Sequence, residues 1–439
     1  MKKILKSLIV LSIPTIIEQI LSTLLQYVDT AMVGQLGEQA TASVSVTTTV
    51  TWLVNSVPGA LGVAVLAMIA KAAGSKDEEL VKRISKQVIL LVVCFGALTG
   101  GISLALSSVI PVWMGAEKAI QRQASIYFAL VSIPMLFRCS TTIFGAAIRA
   151  TKNTKTPMLI NLLANILNVI LNYLFIYMLD FGVTGAGISS AISYTVCGVL
   201  MFRAYRKNEL LYWKWEEFSL DVEVLKRCGK MSLPVLGTNV ASCLGYVVFA
   251  SLVSGMGTTI FAAHSIAVTA ETIFYIPGYG LQTATSTLVG NALGEQNKKK
   301  FETVSYLSIV ITIIMMCVSG FVLYLAAKPL MGLFSPNKEV VAIGASMLRL
   351  VAFSEPFFGL MIVLEGIFYG LGRTRYAFFI EIFSKWGIRI FFTFLCVKVW
   401  GLGLRAVWYC MIADNICKAV LFTLPVLSKK RREKMFLGC

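Results

Sequence analysis

Apolar runs separated by short, charge-rich breaks fill the chain. Runs of about 20 or more residues, each long enough to cross a ~30 Å hydrocarbon core, lie near 8–33, 42–70, 88–112, 124–148, 158–179, 184–204, 229–255, 260–292, 303–327, 343–371, 376–399 and 404–427. This pattern predicts an all-α polytopic membrane protein with twelve transmembrane helices. Sliding the chain by about 220 residues brings Ser12 and Pro14 onto Ser232 and Pro234, Gly37 onto Gly257, and Gly74 onto Gly294. Pro58-Gly59 meets Pro277-Gly278 with one residue of slip, and 159–165 meets 379–385. Each half then holds six spans, an even number, so both halves enter the membrane in the same orientation. Two six-helix bundles related by a pseudo-two-fold axis along the membrane normal are expected. The expected division is an N-terminal bundle over 1–205, a cytoplasmic linker over 206–228, and a C-terminal bundle with a basic cytoplasmic tail over 229–439. Pro14, Pro58, Pro234 and Pro277 fall inside spans, where each removes a backbone hydrogen bond and permits a kink. The glycines beside them, in 59–62 and 278–280, allow close helix packing.

The polar exceptions inside these runs carry the functional information. In the stretch Leu11 to Leu36, Glu18, Ser22 and Asp29 fall within about 40° of one another on one helical face. A carboxylate at mid-membrane costs several kcal/mol, about 3 on insertion scales, unless it meets water, a proton, a cation or a partner; such a stripe marks a pathway or coupling site. In the fifth span Asn161, Asn165, Asn168 and Asn172 share one stripe about 60° wide. Two readings apply: hydrogen-bond glue between helices, or amides facing a hydrated cavity or the acidic face of the first helix. Amides suit a carboxylate that gains and loses a proton, because they donate to its charged form and accept from its neutral form.

Asp29, Glu18 and the four asparagines are therefore the expected cation-coupling residues. Glu271, Glu355, Glu365, Gln26 and Tyr275 are candidates for a substrate cavity. Glu381 with Lys385 and Arg389, and Asp414 with Lys418, have the spacing of ion-paired helix ladders. His264, the only histidine, reads as a satisfied imidazole near the outer end of its span. Arg138, alone in the fourth span, is a candidate to compensate one of these acids.

Composition supports the membrane reading and narrows the chemistry. The chain has 439 residues, 57% hydrophobic and 14% charged, too apolar for an ordinary soluble surface. Its net charge of +17 is concentrated at the termini and in the even-numbered loops, as in Lys2, Lys3, Lys6, Lys82, Arg83, Lys86, Lys298 to Lys300 and Lys429 to Arg432. Positive charge marks the cytoplasmic side, so both termini are expected inside the cell membrane. Anionic lipid headgroups, not nucleic acid, are the expected partner of this charge. Ten cysteines are scattered singly through apolar runs with no CxxC pair, so no structural disulfide is expected. The N-terminal run lacks a small-residue cleavage site and is expected to stay as the first helix. Walker, HExxH and GxSxG patterns are absent, as is any His/Cys spacing suited to a metal. No cofactor and no metal are expected, and transport energy is expected from an ion gradient.

Several motifs occur together: P14 and D29-TAMVG, the LGEQA loop at 36–40, AAH264-SIA before Pro277-Gly278, VGNALGEQN at 289–297, and A150-xx-NTKTPM ending at 158. In this order they resemble the multidrug and toxic compound extrusion (MATE) family of cation-coupled antiporters over nearly the whole chain. The resemblance implies a V-shaped pair of six-helix bundles around a central cavity, exporting organic cations or other amphipathic small molecules in exchange for H+ or Na+. It implies a coupling role for Asp29. Some branches have a second acid in the fifth helix, where this chain has Asn172; others place a glutamate in the seventh helix, where residues 229–255 contain no acid. A monomer is expected. Two other classes share some features. A lipid-linked oligosaccharide flippase of the same wider superfamily calls for a basic central cavity, and a polytopic membrane enzyme calls for acidic or histidine-bearing loops at the membrane face.

Overall fold

The structure, a computed structural model, describes residues 1–428, 433, 435 and 436. Lys429 to Arg432 and Lys434 of the expected basic tail lie outside the described residues. Helices follow one another with short turns: α1 (Lys2–Gly34), α2 (Glu38–Gly74), α3 (Glu78–Ala105), α4 (Ile110–Trp113), α5 (Lys118–Ser132), α6 (Met135–Ala150), α7 (Lys155–Asn172), α8 (Gly182–Lys207), α9 (Val222–Ser254), α10 (Thr258–Gly294), α11 (Lys298–Phe334), α12 (Lys338–Ala352), α13 (Glu355–Gly370), α14 (Thr374–Ser384), α15 (Phe391–Phe394) and α16 (Leu404–Leu427). π-helical turns extend α7 through Tyr173–Met178 and link α14 to α15 and beyond through Lys385–Ile390 and Leu395–Val399. No strand occurs among the described residues.

Among the described residues nine helices are long and apolar enough to cross a bilayer, and two bent pairs, each taken as one span, raise the number to eleven. The bends, 47° between α5 and α6 and 56° between α12 and α13, are the sharp breaks. Pro134 caps α6 and Pro356 sits in the first turn of α13, so each break falls where proline denies the ladder a donor. Pro14, Pro58, Pro234 and Pro277 lie within helices that continue through them. The expected span near 376–399 is the one not among these; it carries Glu381, Lys385 and Arg389 and so departs from a purely apolar rod.

The internal repeat extends to helix ends. α1 and α9 are both 33 residues long, and α2 and α10 both 37. The side chain of Asp77 caps α3 by accepting from the Leu80 N–H at 2.9 Å, and Asn297 caps α11 by accepting from the Lys300 N–H at 2.9 Å. Gly37 and Gly257 precede α2 and α10 at φ of 106° and 111°, a conformation that side-chain-bearing residues rarely adopt.

The chain divides into two compact units: Ile17–Leu236, and Met1–Ile16 with Gly237–Cys439. In the first, α2, α3 and α6 form a core with Met201 and Tyr205 of α8, Leu211, and Val224, Cys228 and Met231 of α9. In the second, α10 packs on α11 and α13, and the Thr15 hydroxyl donates to the Gly280 carbonyl at 2.9 Å. The first helix of each half thus begins against helices of the other. The glycine-rich patches do allow close approach at Gly62, Gly278 and Gly280, where a Cβ would meet Ala146, Ile362 and Ile16, but Gly59 faces open space.

Candidate functional site

The polar stripes of α1 and α7 meet as a ladder. Asn161 donates to Glu18 Oε1 at 2.5 Å, Asn165 donates to Ser22 Oγ at 3.0 Å, and Asn172 Nδ2 donates to Asp29 Oδ1. Every rung spans the same 143 residues, so the two helices run parallel and in register. The asparagine stripe faces the acidic face of the first helix. Asn172 also donates to Asn168 Oδ1 at 3.4 Å, and Asn168 donates to Ser190 of α8 at 3.4 Å. A rise of 1.5 Å per residue separates Glu18 from Asp29 by about 16 Å.

The two acids have different surroundings. Glu18 is buried and accepts from Arg149 of α6 at 2.6 Å as well as from Asn161, whose own Oδ1 accepts from the Cys197 thiol. Its charge is offset by a guanidinium. Asp29 is half-buried, and among the described residues it pairs with no lysine or arginine. Its partner Asn172 is fully buried, with Oδ1 lacking any hydrogen bond among the described residues. Arg138 does not compensate an acid: it stacks 4.4 Å over Tyr194 and donates to the Val131 carbonyl at 3.4 Å. Gln26 is exposed on α1. Tyr177, one turn past Asn172, donates to the Met32 carbonyl and to Gln35, both at 2.9 Å, continuing the α1 contact through the π-helical turn.

In the C-terminal half the same register carries charge. Lys385 Nζ donates to Ser242 Oγ at 2.6 Å, again across 143 residues, where the first half has Asn165 on Ser22. Glu381, in the place of Asn161, lies 2.8 Å from Lys418 and 3.8 Å from Lys385. Asp414 lies 2.8 Å from Arg389 and 3.4 Å from Lys418. The i, i+4 pairs that the spacing predicted are present, but the nearest cations are exchanged between helices: Lys418 of α16 is nearest to Glu381, and Arg389, expected on the Glu381 ladder, pairs with Asp414 instead. Glu365 accepts from Gln282 at 2.8 Å and from Tyr369 at 2.5 Å. Tyr275 packs edge-on to Phe358 at 5.0 Å, and its hydroxyl donates to Thr272 at 3.2 Å. Glu271 and Glu355 are both buried. Neither Glu355 oxygen has a hydrogen bond among the described residues.

His264 corrects the expectation of a satisfied imidazole. It is buried between Phe249 and Trp408, at ring distances of 5.5 and 5.8 Å, and its Nδ1 has no hydrogen-bond partner among the described residues. Aromatic packing, not hydrogen bonding, holds the ring. Arg149, Cys197, Ser190, Gln282 and Tyr369 were missed as site residues. Only the i, i+4 spacing of Glu365 and Tyr369 offered a signal; Arg149 reads in the sequence as one more loop cation. The described cysteines are free thiols, Cys396 and Cys410 being 3.8 Å apart.

A family model described as MatE matches residues 14–174 and 234–395, one match in each half of the repeat. The chain is 26% identical over 440 residues to "Probable multidrug resistance protein NorM" of Thermotoga maritima, covering 98% of this chain and 94% of that one. It is 28% identical over 401 residues to the protein of the same name from Mannheimia succiniciproducens, covering 87% and 83%. The fold is that of a solved structure described as the outward-facing conformation of a multidrug resistance MATE family transporter of the MOP superfamily. The TM-score is 0.93 at 23% identity, over 98% of this chain and 96% of that one. These relatives are named for transport and resistance, not for enzymes. Spans, repeat, motifs and family match converge: this multi-pass membrane protein belongs to the MatE family.

Proposed function

We propose that the protein is a secondary active antiporter that exports organic cations or other amphipathic small molecules by alternating access, driven by inward movement of H+ or Na+. The observation that carries this reading is Asp29 on Asn172: a carboxylate with no basic partner among the described residues, on an amide that is itself fully buried. An uncompensated carboxylate at membrane depth binds a cation or a proton far more readily than one already held by a guanidinium. Asp29, Asn168 and Asn172 therefore form the exchange end of the ladder. Glu18, Asn161 and Asn165 complete it, with Arg149 paired to Glu18. When a proton or Na+ neutralises Asp29, the charge that attracts a cationic substrate is removed, so ion and substrate compete and exchange becomes obligatory. Buried Glu271 and Glu355 and half-buried Glu365 supply further carboxyls on the C-terminal side for a cationic substrate. No hydrolysis is involved. The names of the relatives, which speak of multidrug resistance, support a broad substrate range.

The test is efflux of a fluorescent organic cation from proteoliposomes in which the Na+ and H+ gradients are set independently. Wild-type flux should follow one gradient and vanish without it. Asp29→Asn should lower flux by at least about tenfold, the effect of losing roughly 1.4 kcal/mol or more of ion binding. Wild-type flux from Asp29→Asn would remove the coupling role.

A further inference from the structure

The segment between α8 and α9 is the longest polar stretch in the chain, yet it turns large apolar side chains outward. Leu210, Tyr212, Trp215, Phe218, Leu220 and Val222 are all exposed, Trp215 at 58% and Leu220 at 61%. The segment is nonetheless pinned. Ser85 donates to the Leu211 carbonyl at 2.6 Å, Gln87 donates to the Ser219 carbonyl at 2.7 Å, and Arg83 pairs with Asp221 at 2.7 Å. Arg206 donates to the Trp213 carbonyl at 2.9 Å, with its guanidinium 4.8 to 5.2 Å from the rings of Tyr212, Trp213 and Trp215. Trp213 is buried under this stack, so the strap has an inner aromatic that anchors it and outer ones with nothing to cover them.

The anchoring residues fix its depth. On α3 charged residues end at Lys86, and 87–105 carry none; on α8 residues 182–202 carry none, and charge begins at Arg203. The strap is tied to 83, 85 and 87 on one helix and to 206 on the other, at the level where both pass from apolar to charged sequence. That level is the boundary between acyl chains and headgroups, where tryptophan and tyrosine concentrate because one part of the ring is apolar and the other polar.

We propose that this strap is an interfacial membrane anchor whose outward side chains insert into the headgroup–acyl boundary of the bilayer. The occupant is lipid, and the attachment is apolar. From Arg206 to Glu223 the segment carries three basic and five acidic residues, which is the wrong balance for attraction to anionic headgroups, whereas the exposed aromatics and leucines match an interface irrespective of headgroup charge.

The experiment uses the full-length protein in phosphatidylcholine vesicles whose acyl chains carry bromine near the carbonyl end. The contribution of Trp215 is the tryptophan emission of wild type minus that of Trp215→Phe. Bromolipid should reduce it at least about twofold, with no change on adding salt and the same result when phosphatidylglycerol is included. Should Trp215→Phe fold poorly, Trp215→Tyr provides the difference emission, and Leu220→Trp on that background provides an independent reporter at the most exposed position. Emission that bromolipid leaves unquenched overturns the proposal: if acrylamide quenches it, the strap faces water, and if acrylamide is excluded, protein covers it. Quenching that appears only with phosphatidylglycerol and disappears in salt also overturns it, because charge and not apolar insertion then holds the strap down.

Discussion

Removing Arg149 and removing the charge of Asp29 probe different properties of one helix face, because the first acts on a paired buried carboxylate and the second on an unpaired one. Arg149→Ala leaves Glu18 buried with only Asn161 to hold it, and breaking such a pair costs about 3–5 kcal/mol. Thermal unfolding in detergent should show this loss. The double variant Glu18→Gln, Arg149→Gln should recover much of it, since no lone charge remains inside. Asp29→Asn removes no ion pair and should shift unfolding by less than about 1 kcal/mol, while lowering gradient-driven efflux by at least about tenfold. A large unfolding shift from Asp29→Asn would mean that this carboxylate holds the helices together.

At the scale of helices, contact distance decides which glycines are needed. A Cβ on Gly198 of α8 would lie 2.6 Å from the Phe137 carbonyl of α6, so backbone must move. Gly198→Ala should cost about 1–3 kcal/mol in thermal unfolding. Gly59→Ala meets nothing within 4 Å and should stabilise α2 by up to about 1 kcal/mol, the propensity difference between glycine and alanine. The start of α9 responds to pH. The Val224 N–H and the Arg83 guanidinium, together with the Glu223 N–H, hold the Asp221 carboxyl below the usual carboxylate range. A depressed folded value means that this cap stabilises the fold above the ordinary aspartate range near ~3.9 and is lost as pH falls through the folded value. The gap in unfolding temperature between wild type and Asp221→Ala should therefore be widest near neutrality and narrow in acid.

For the whole molecule, the number of spans and the placement of basic residues set the expected topology. The lysines and arginines at the termini and in the even-numbered loops predict that both ends share the cytoplasmic side. A fluorescent protein fused to either end should fluoresce, and alkaline phosphatase fused to either end should be inactive; opposite outcomes at the two ends would demand an odd number of crossings. The repeat then has a chemical consequence. The same 143-residue rung is uncharged in one half, Asn165 on Ser22, and cationic in the other, Lys385 on Ser242. Duplicated geometry has thus been given unlike electrostatics, an acid-bearing ladder in the first half and a self-paired ionic network in the second.

Sequence by itself determined the elements and their chemistry. Run length marked the apolar spans, the 220-residue echo marked the repeat, and the i, i+4 and i+11 spacings placed Glu18, Ser22 and Asp29 on one face and the asparagines on another. All of these are properties of a single helix and its 3.6-residue period, which spacing reports directly. Only the tertiary structure decided the partners: that Arg149 from α6 reaches Glu18 while no lysine or arginine among the described residues pairs with Asp29, that Lys418 lies nearer than Lys385 to Glu381, that His264 is gripped by aromatic rings, and that a hydrophilic linker is pinned with its apolar side chains outward. A partner on another helix depends on rotation, depth and packing against third helices, none of which repeats along the chain, so no local pattern contains it.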